Sequence, residues 1–138
     1  MGIEENKETV RRYIKEIMND QDYSRAQELM HEDFFGQGGA ITSIEEHEKM
    51  FKAQREAIPD MANHLQEMIA EGDKVVAISM LTSTDTTGRY GNPPTNKPLN
   101  VKVIVIYTLK DGKITKGEPL TDVIGAARQL GLTALHLD

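Results

Sequence analysis

Apolar positions near the start of the chain recur at helical spacing. Ile3, Val10, Ile14 and Ile17 are separated by Lys, Arg and Glu, which predicts an amphipathic helix from about Glu4 to Met18. A second helix is predicted from about Asp22 to Met30, burying Ala26, Leu29 and Met30. Phe34 and Phe35 then lead into a Gly-rich turn, Gly36 to Gly39. Ser43 stands ahead of Glu46 at capping-box spacing and opens a third helix that runs to about Ile58. Ile44, His47, Phe51, Gln54 and Ile58 share its inner stripe, and Pro59 ends it.

Beyond Pro59 the period changes from helical to alternating. Extended segments are predicted at about Ala62–Ala70, Lys74–Asp85, Leu99–Lys110 and Lys113–Leu120. Glu71-Gly72-Asp73 and Asp111-Gly112 read as hairpin turns, and Gly88 to Pro98 as a loop. A short helix from Val123 to Leu130 closes the chain, with Gly131 as its stop. Helices followed by an antiparallel meander define an α+β chain whose sheet buries one face under the helices. With 138 residues and neither a linker nor a repeat, the chain is expected to form one domain.

Composition narrows the chemistry. The formal net charge is −6 and there is no basic run, which argues against nucleic acid or an anionic membrane as partner. Cysteine is absent, so thiol catalysis, disulfides and Cys-based metal sites are excluded. The first twenty residues lack the apolar centre of a signal peptide, and the longest apolar run, Val103 to Tyr107, is too short to span a bilayer. A cytoplasmic protein is expected. The histidines, His31, His47, His64 and His136, show no metal-ligand spacing, so no metal site is expected. Gly36-Gln37-Gly38-Gly39 is not followed by a phosphate-binding helix pattern.

The ordered set Ile58-Pro59-Asp60, Glu71-Gly72-Asp73-Lys74-Val75, Pro93-Pro94-Thr95 with Pro98, Ile106-Tyr107, Asp111-Gly112-Lys113-Ile114, and Asp122, Gly125 and Arg128-Gln129-Leu130-Gly131 resembles the SnoaL-like polyketide cyclases, a branch of the NTF2-like superfamily. The resemblance runs from about residue 4 to 131. It implies a cystatin-like cone, in which a curved sheet wraps a helix around a mostly apolar pocket. It also implies intramolecular aldol ring closure without metal or cofactor, and pairing of two copies through the outer sheet face. Both faces of the strand carrying Val101, Val103, Val105 and Tyr107 alternating with Ile104 and Ile106 are apolar, in keeping with a homodimer or a higher homo-oligomer.

Five residues are candidates for the site. Asp122 matches the family's acid/base, and a carboxylate in an apolar pocket has its pKa raised toward neutrality. Its place just before Val123 equally suits a helix N-cap. Tyr13 matches a helix-one tyrosine that donates to a ligand oxygen in related isomerases, or is a core aromatic. Glu118 shares a strand face with Ile114, Lys116 and Leu120 and either lines the pocket or is solvated. Relatives often carry His-Trp at the positions of Gly117 and Glu118. Asp85 shares a face with Ser79, Leu81 and Ser83 and is either exterior or an acid near the pocket mouth. His47 is either a satisfied core histidine or a pocket donor.

The resulting expectation is a pocket for a small hydrophobic carbonyl compound, with a cofactor-free cyclase or isomerase reaction in which Asp122 is the catalytic acid/base. A non-catalytic binding module stands as the alternative, its wall softened by Met50, Met61, Met68 and Met80. Ketosteroid isomerase chemistry lacks its acids, because Gly38 and about Ile104 occupy those positions. An epoxide-hydrolase-like enzyme on the same fold is a further alternative, although Arg89 alone does not complete the Asp-Arg-Asp set that reaction uses.

Overall fold

Val10, Ile14 and Ile17 lose almost all their surface against a sheet, each contributing roughly 2 kcal/mol of burial. They lie on helix α1 (Ile3–Arg12) and its π-helical continuation (Tyr13–Asn19) in a computed structural model that describes residues 2–36 and 41–136. Ile3, assigned to the same stripe by its spacing, sits one turn too early to reach the sheet and is 41% exposed. In the π-helical stretch the backbone bonds lengthen by one residue, as Asp20 N–H donates to the Lys15 carbonyl. The wider turn places Tyr13, Ile14 and Ile17 together on the inner side.

Only Ala26–Leu29 of the second expected helix is helical (α2). The chain then becomes a strand, β1 (Met30–Gly36), where the sequence reading ended a helix and began a turn. Met30 and Phe34 are buried while Glu32 and Asp33 face solvent, a pattern too short to separate helix from strand by period alone. The rest of the Gly-rich turn, Gln37 to Gly39, lies outside the described residues. Helix α3 (Ile44–Ala57) starts where expected, with the Ser43 hydroxyl accepting from Glu46 N–H at 3.1 Å.

Strands β2 (Ala62–Glu71), β3 (Lys74–Thr84), β4 (Pro98–Lys110) and β5 (Lys113–Thr121) form the predicted meander. Asp111 and Gly112 both have positive φ (53° and 73°), as the tight β4–β5 hairpin requires. β1 adds to the far edge of the meander in parallel with β5, so the sheet order is β1-β5-β4-β3-β2. Bulges at Leu65/Glu67 and Thr108/Leu109 bend the sheet.

Register separates the two faces. Val75, Ala77 and Ser79 pair with Tyr107, Val105 and Val103 on the inner face, under α1 and the π-helical segment. Val76, Ile78 and Met80, opposite Ile106, Ile104 and Lys102, form the outer face, flanked by the exposed Ile69 and Leu120. A second, smaller core joins Leu99 and Val101 of β4 to Ala126 and Leu130 of α4 (Val123–Leu130). Gly131 ends α4 in the left-handed region (φ 72°), and Leu132 N–H closes back on the Ala127 carbonyl. Among the described residues no helix is long and apolar enough to cross a membrane.

Candidate functional site

Between the π-helical segment, α3, β1 and the inner face of β4 and β5 lies a cavity of about 390 Å³, large enough for a compact ligand. Tyr13, Met18, Phe34, His47, Phe51 and Tyr107 form its inner wall, and Met50 and Pro119, both exposed, mark its mouth. Gly117 completes one side. A Cβ there would sit 3.5 Å from the Tyr107 ring, so the missing side chain widens the cavity rather than avoiding a clash.

His47 organises the polar part. α3 projects it inward from the stripe that begins at Ile44, and it is 1% exposed. Its Nε2 lies 2.7 Å from Tyr13 Oη and its Nδ1 2.8 Å from Tyr23 Oη. Phe51 stacks on the imidazole at 4.0 Å between centroids, and Phe34 meets it edge-on at 5.4 Å. Tyr107 packs edge-on against Tyr13 at 5.6 Å. Burial lowers the His47 pKa from 6.5 to about 4, so the ring is neutral at pH 7. Burial likewise pushes the Tyr13, Tyr107 and Tyr23 hydroxyls well up, Tyr13 further because Tyr107 and Tyr23 are close, and Tyr23 further because Glu48 is near. All three stay protonated. Among the described residues no Asp, Glu, Lys or Arg lines the cavity, so this part of the wall carries no formal charge.

The structure brings two of the five candidates, Tyr13 and His47, together at this wall and sets the other three elsewhere. Asp122 is exposed, and its carboxylate accepts from Gly125 N–H at 2.9 Å as the N-cap of α4. A Cβ at Gly125 would lie 2.2 Å from Asp122 Oδ2, so the Asp122–Gly125 pair is shaped for this cap. The expected inward-turned carboxylate is therefore corrected: the β5–α4 junction lies by the smaller core, and capping claims the side chain. Glu118 is corrected for a simple reason of alternation. Gly117 and Pro119 face the cavity, so Glu118 points to the outer face, 3.2 Å from Lys116 Nζ.

Asp85 is neither exterior nor at the pocket mouth. It is fully buried and holds the loop after β3. Oδ1 accepts from Gly88 N–H at 3.0 Å, while Oδ2 accepts from Thr95 N–H at 2.9 Å and Thr95 Oγ1 at 2.8 Å. Desolvation raises its pKa, but these bonds outweigh it and the net shift is downward. No group of three or more His, Asp or Glu side chains is arranged to hold a metal among the described residues.

Tyr23, Tyr107, Phe34 and Met18 were not singled out from the sequence. A compositional signal was present, however. The chain has four Tyr, three Phe and no Trp, and four of those seven aromatics, Tyr23, Phe34, Phe51 and Tyr107, pack around His47 and Tyr13.

The α+β architecture of this chain is shared with known structures. A SnoaL-like polyketide cyclase from Agrobacterium tumefaciens superposes with a TM-score of 0.80 at 17% identity, over 95% of this chain and 100% of its own. TsrD from Streptomyces laurentii gives 0.79 at 20% identity, over 95% and 98%. A proposed SnoaL-like polyketide cyclase from Jannaschia sp. CCS1 gives 0.77 at 25% identity, over 96% and 95%. No curated protein matches the chain. The family model for SnoaL-like polyketide cyclase matches residues 8–130, and the chain belongs to that family.

Proposed function

We propose that the protein binds a compact, uncharged, largely apolar carbonyl compound in the His47 cavity, with the ligand oxygen held by Tyr13. The observation that carries this reading is a cavity wall of aromatic and aliphatic groups with one convergent polar set, Tyr13–His47, and, among the described residues, no formal charge. A charged ligand would lose its hydration there with nothing to offset the loss. A neutral carbonyl needs one donor, and a protonated tyrosine supplies it. Membership of the SnoaL-like family supports aldol-type ring closure as the reaction, with the developing oxyanion stabilised by the same hydroxyl.

Binding without turnover is a second reading, favoured by one observation: among the described residues no carboxylate lines the cavity to serve as base. Titration with 2-acetonaphthone, followed by intrinsic tyrosine fluorescence, tests the site. Tyr13→Phe should weaken binding by roughly three- to tenfold, the value of one net hydrogen bond. Asp122→Asn should leave it unchanged. The reverse pattern would return the site to Asp122. We further propose that the outer sheet face, with Ile78, Ile104 and Ile106 at its centre, pairs two copies of the chain.

A further inference from the structure

The two hydrogen bonds on His47 constrain each other. A neutral imidazole carries one N–H and one bare nitrogen. With tyrosine hydroxyls 2.7 Å from Nε2 and 2.8 Å from Nδ1, one hydroxyl must donate to the ring and the other must accept from it. Two arrangements satisfy the geometry. In the first, Nδ1–H donates to Tyr23 Oη and Tyr13 O–H donates to Nε2, which leaves Tyr13 lone pairs for the cavity. In the second, Tyr23 O–H donates to Nδ1 and Nε2–H donates to Tyr13 Oη, which frees the Tyr13 proton for the cavity.

We infer that Tyr23, which does not line the cavity, sets through His47 whether Tyr13 offers a ligand a donor or an acceptor, and that the site is built for carbonyl compounds that exchange keto and enol forms. The keto form presents an oxygen that needs a donor. The enol form presents an O–H that can use an acceptor. A fixed hydroxyl would favour one of them, whereas this chain serves both without charge. Interconversion passes one proton in at one end and one out at the other. The Tyr13 proton moves to Nε2, the Nδ1 proton moves to Tyr23 Oη, and the Tyr23 proton leaves to water. A proton from the ligand or from water in the cavity replaces the one Tyr13 gave up. Every group keeps one hydrogen, and the reverse passage restores the start.

The surroundings fit this role. Tyr23 is half-buried at the edge of α3, with Lys52 Nζ 5.7 Å from its ring centroid, and is the least buried member of the Tyr13–His47–Tyr23 chain. His47 is clamped by Phe51 and Phe34, which keeps both nitrogens aimed at their partners. The raised pKa of Tyr13 and Tyr23 and the lowered one of His47 keep the chain of three groups neutral in either arrangement.

The inference rests on the cavity reading, and three tricyclic probes of one shape separate the two: fluorene, which has no polar group, 9-fluorenone, which only accepts, and carbazole, whose N–H only donates. The wild-type protein should bind fluorenone and carbazole each roughly three- to tenfold tighter than fluorene. Tyr23→Phe leaves Nδ1 without a partner. An orphaned buried N–H is rarer than an orphaned acceptor, so the proton should settle on Nε2 and Tyr13 should become a donor only. The variant should then keep the fluorenone preference and lose the carbazole preference. In the unmutated protein, ¹⁵N shifts of His47 should report Nε2–H with fluorenone bound and Nδ1–H with carbazole. A Tyr23→Phe protein that treats both probes alike, or a His47 tautomer indifferent to the probe, would overturn the relay while leaving the cavity. Failure of fluorene itself to bind would overturn the cavity reading and the relay together.

Discussion

Acidification should unfold this protein earlier than its carboxylates alone would require, because of His47. The ring is 1% exposed, and burial holds its folded pKa at about 4 against 6.5 when free. A group whose folded pKa is depressed contributes stability that is fully present above the unfolded value and is lost as pH falls through the folded one. Between pH 6.5 and 4 the unfolded chain therefore binds a proton that the folded chain refuses, and stability drops with falling pH. Each pH unit of the gap is worth about 1.4 kcal/mol, so the full effect approaches roughly 3 kcal/mol. That is a large share of the 5–15 kcal/mol typical of a small domain. Urea unfolding followed by circular dichroism at pH 7.5, 6.5, 5.5 and 4.5 measures it. In His47→Gln the titrating ring is gone, so the drop over this range should be smaller than in the wild type by most of that amount, even though the variant is less stable at pH 7.5. A two-dimensional NMR titration that found the His47 ring protonating near pH 6.5, or parallel pH profiles for the two proteins, would refute the reasoning.

The remaining predictions concern other residues. Asp122→Ala removes the α4 cap and should cost about 1 kcal/mol by thermal unfolding, with probe affinity unchanged. Asp85→Ala strands three donors of the loop after β3 and should cost roughly 3 kcal/mol, with faster proteolysis between Thr86 and Lys97. Gly117→Ala meets only ordinary contacts and should fold normally, whereas Gly117→Trp should fill the cavity and abolish fluorene binding. Sedimentation at micromolar concentration should give a dimer, and Ile104→Glu a monomer; a wild-type monomer would contradict pairing through the outer face.

Much of the architecture was legible in the residues. Ser43 ahead of Glu46, Gly131 after Leu130, and Asp111-Gly112 each act through local backbone chemistry, and each does so in the fold. The parallel strand β1 was not legible. Its partners in β5 lie more than eighty residues further on, and nothing local in Met30–Gly36 records that pairing. The π-helical turn that carries Tyr13 is also a tertiary outcome. At the site, the face of β5 decided the matter. Whether Glu118 or Gly117 turned inward depended on one residue of register, which is fixed by pairing Tyr107 with Gly117 and Ile106 with Glu118. Asp122 had two chemically sound roles in the sequence, and only the three-dimensional path of the β5–α4 junction shows the cap. Tyr23 lies in a turn before α2, where its distance from His47 in the chain hid their contact.

A crystal structure of the protein with 9-fluorenone tests the central claim most directly. The ketone should occupy the space between Phe34, Phe51 and Tyr107, with its oxygen about 3 Å from Tyr13 Oη. Density for the ketone anywhere else, or within the cavity with its oxygen turned away from Tyr13, would contradict the account.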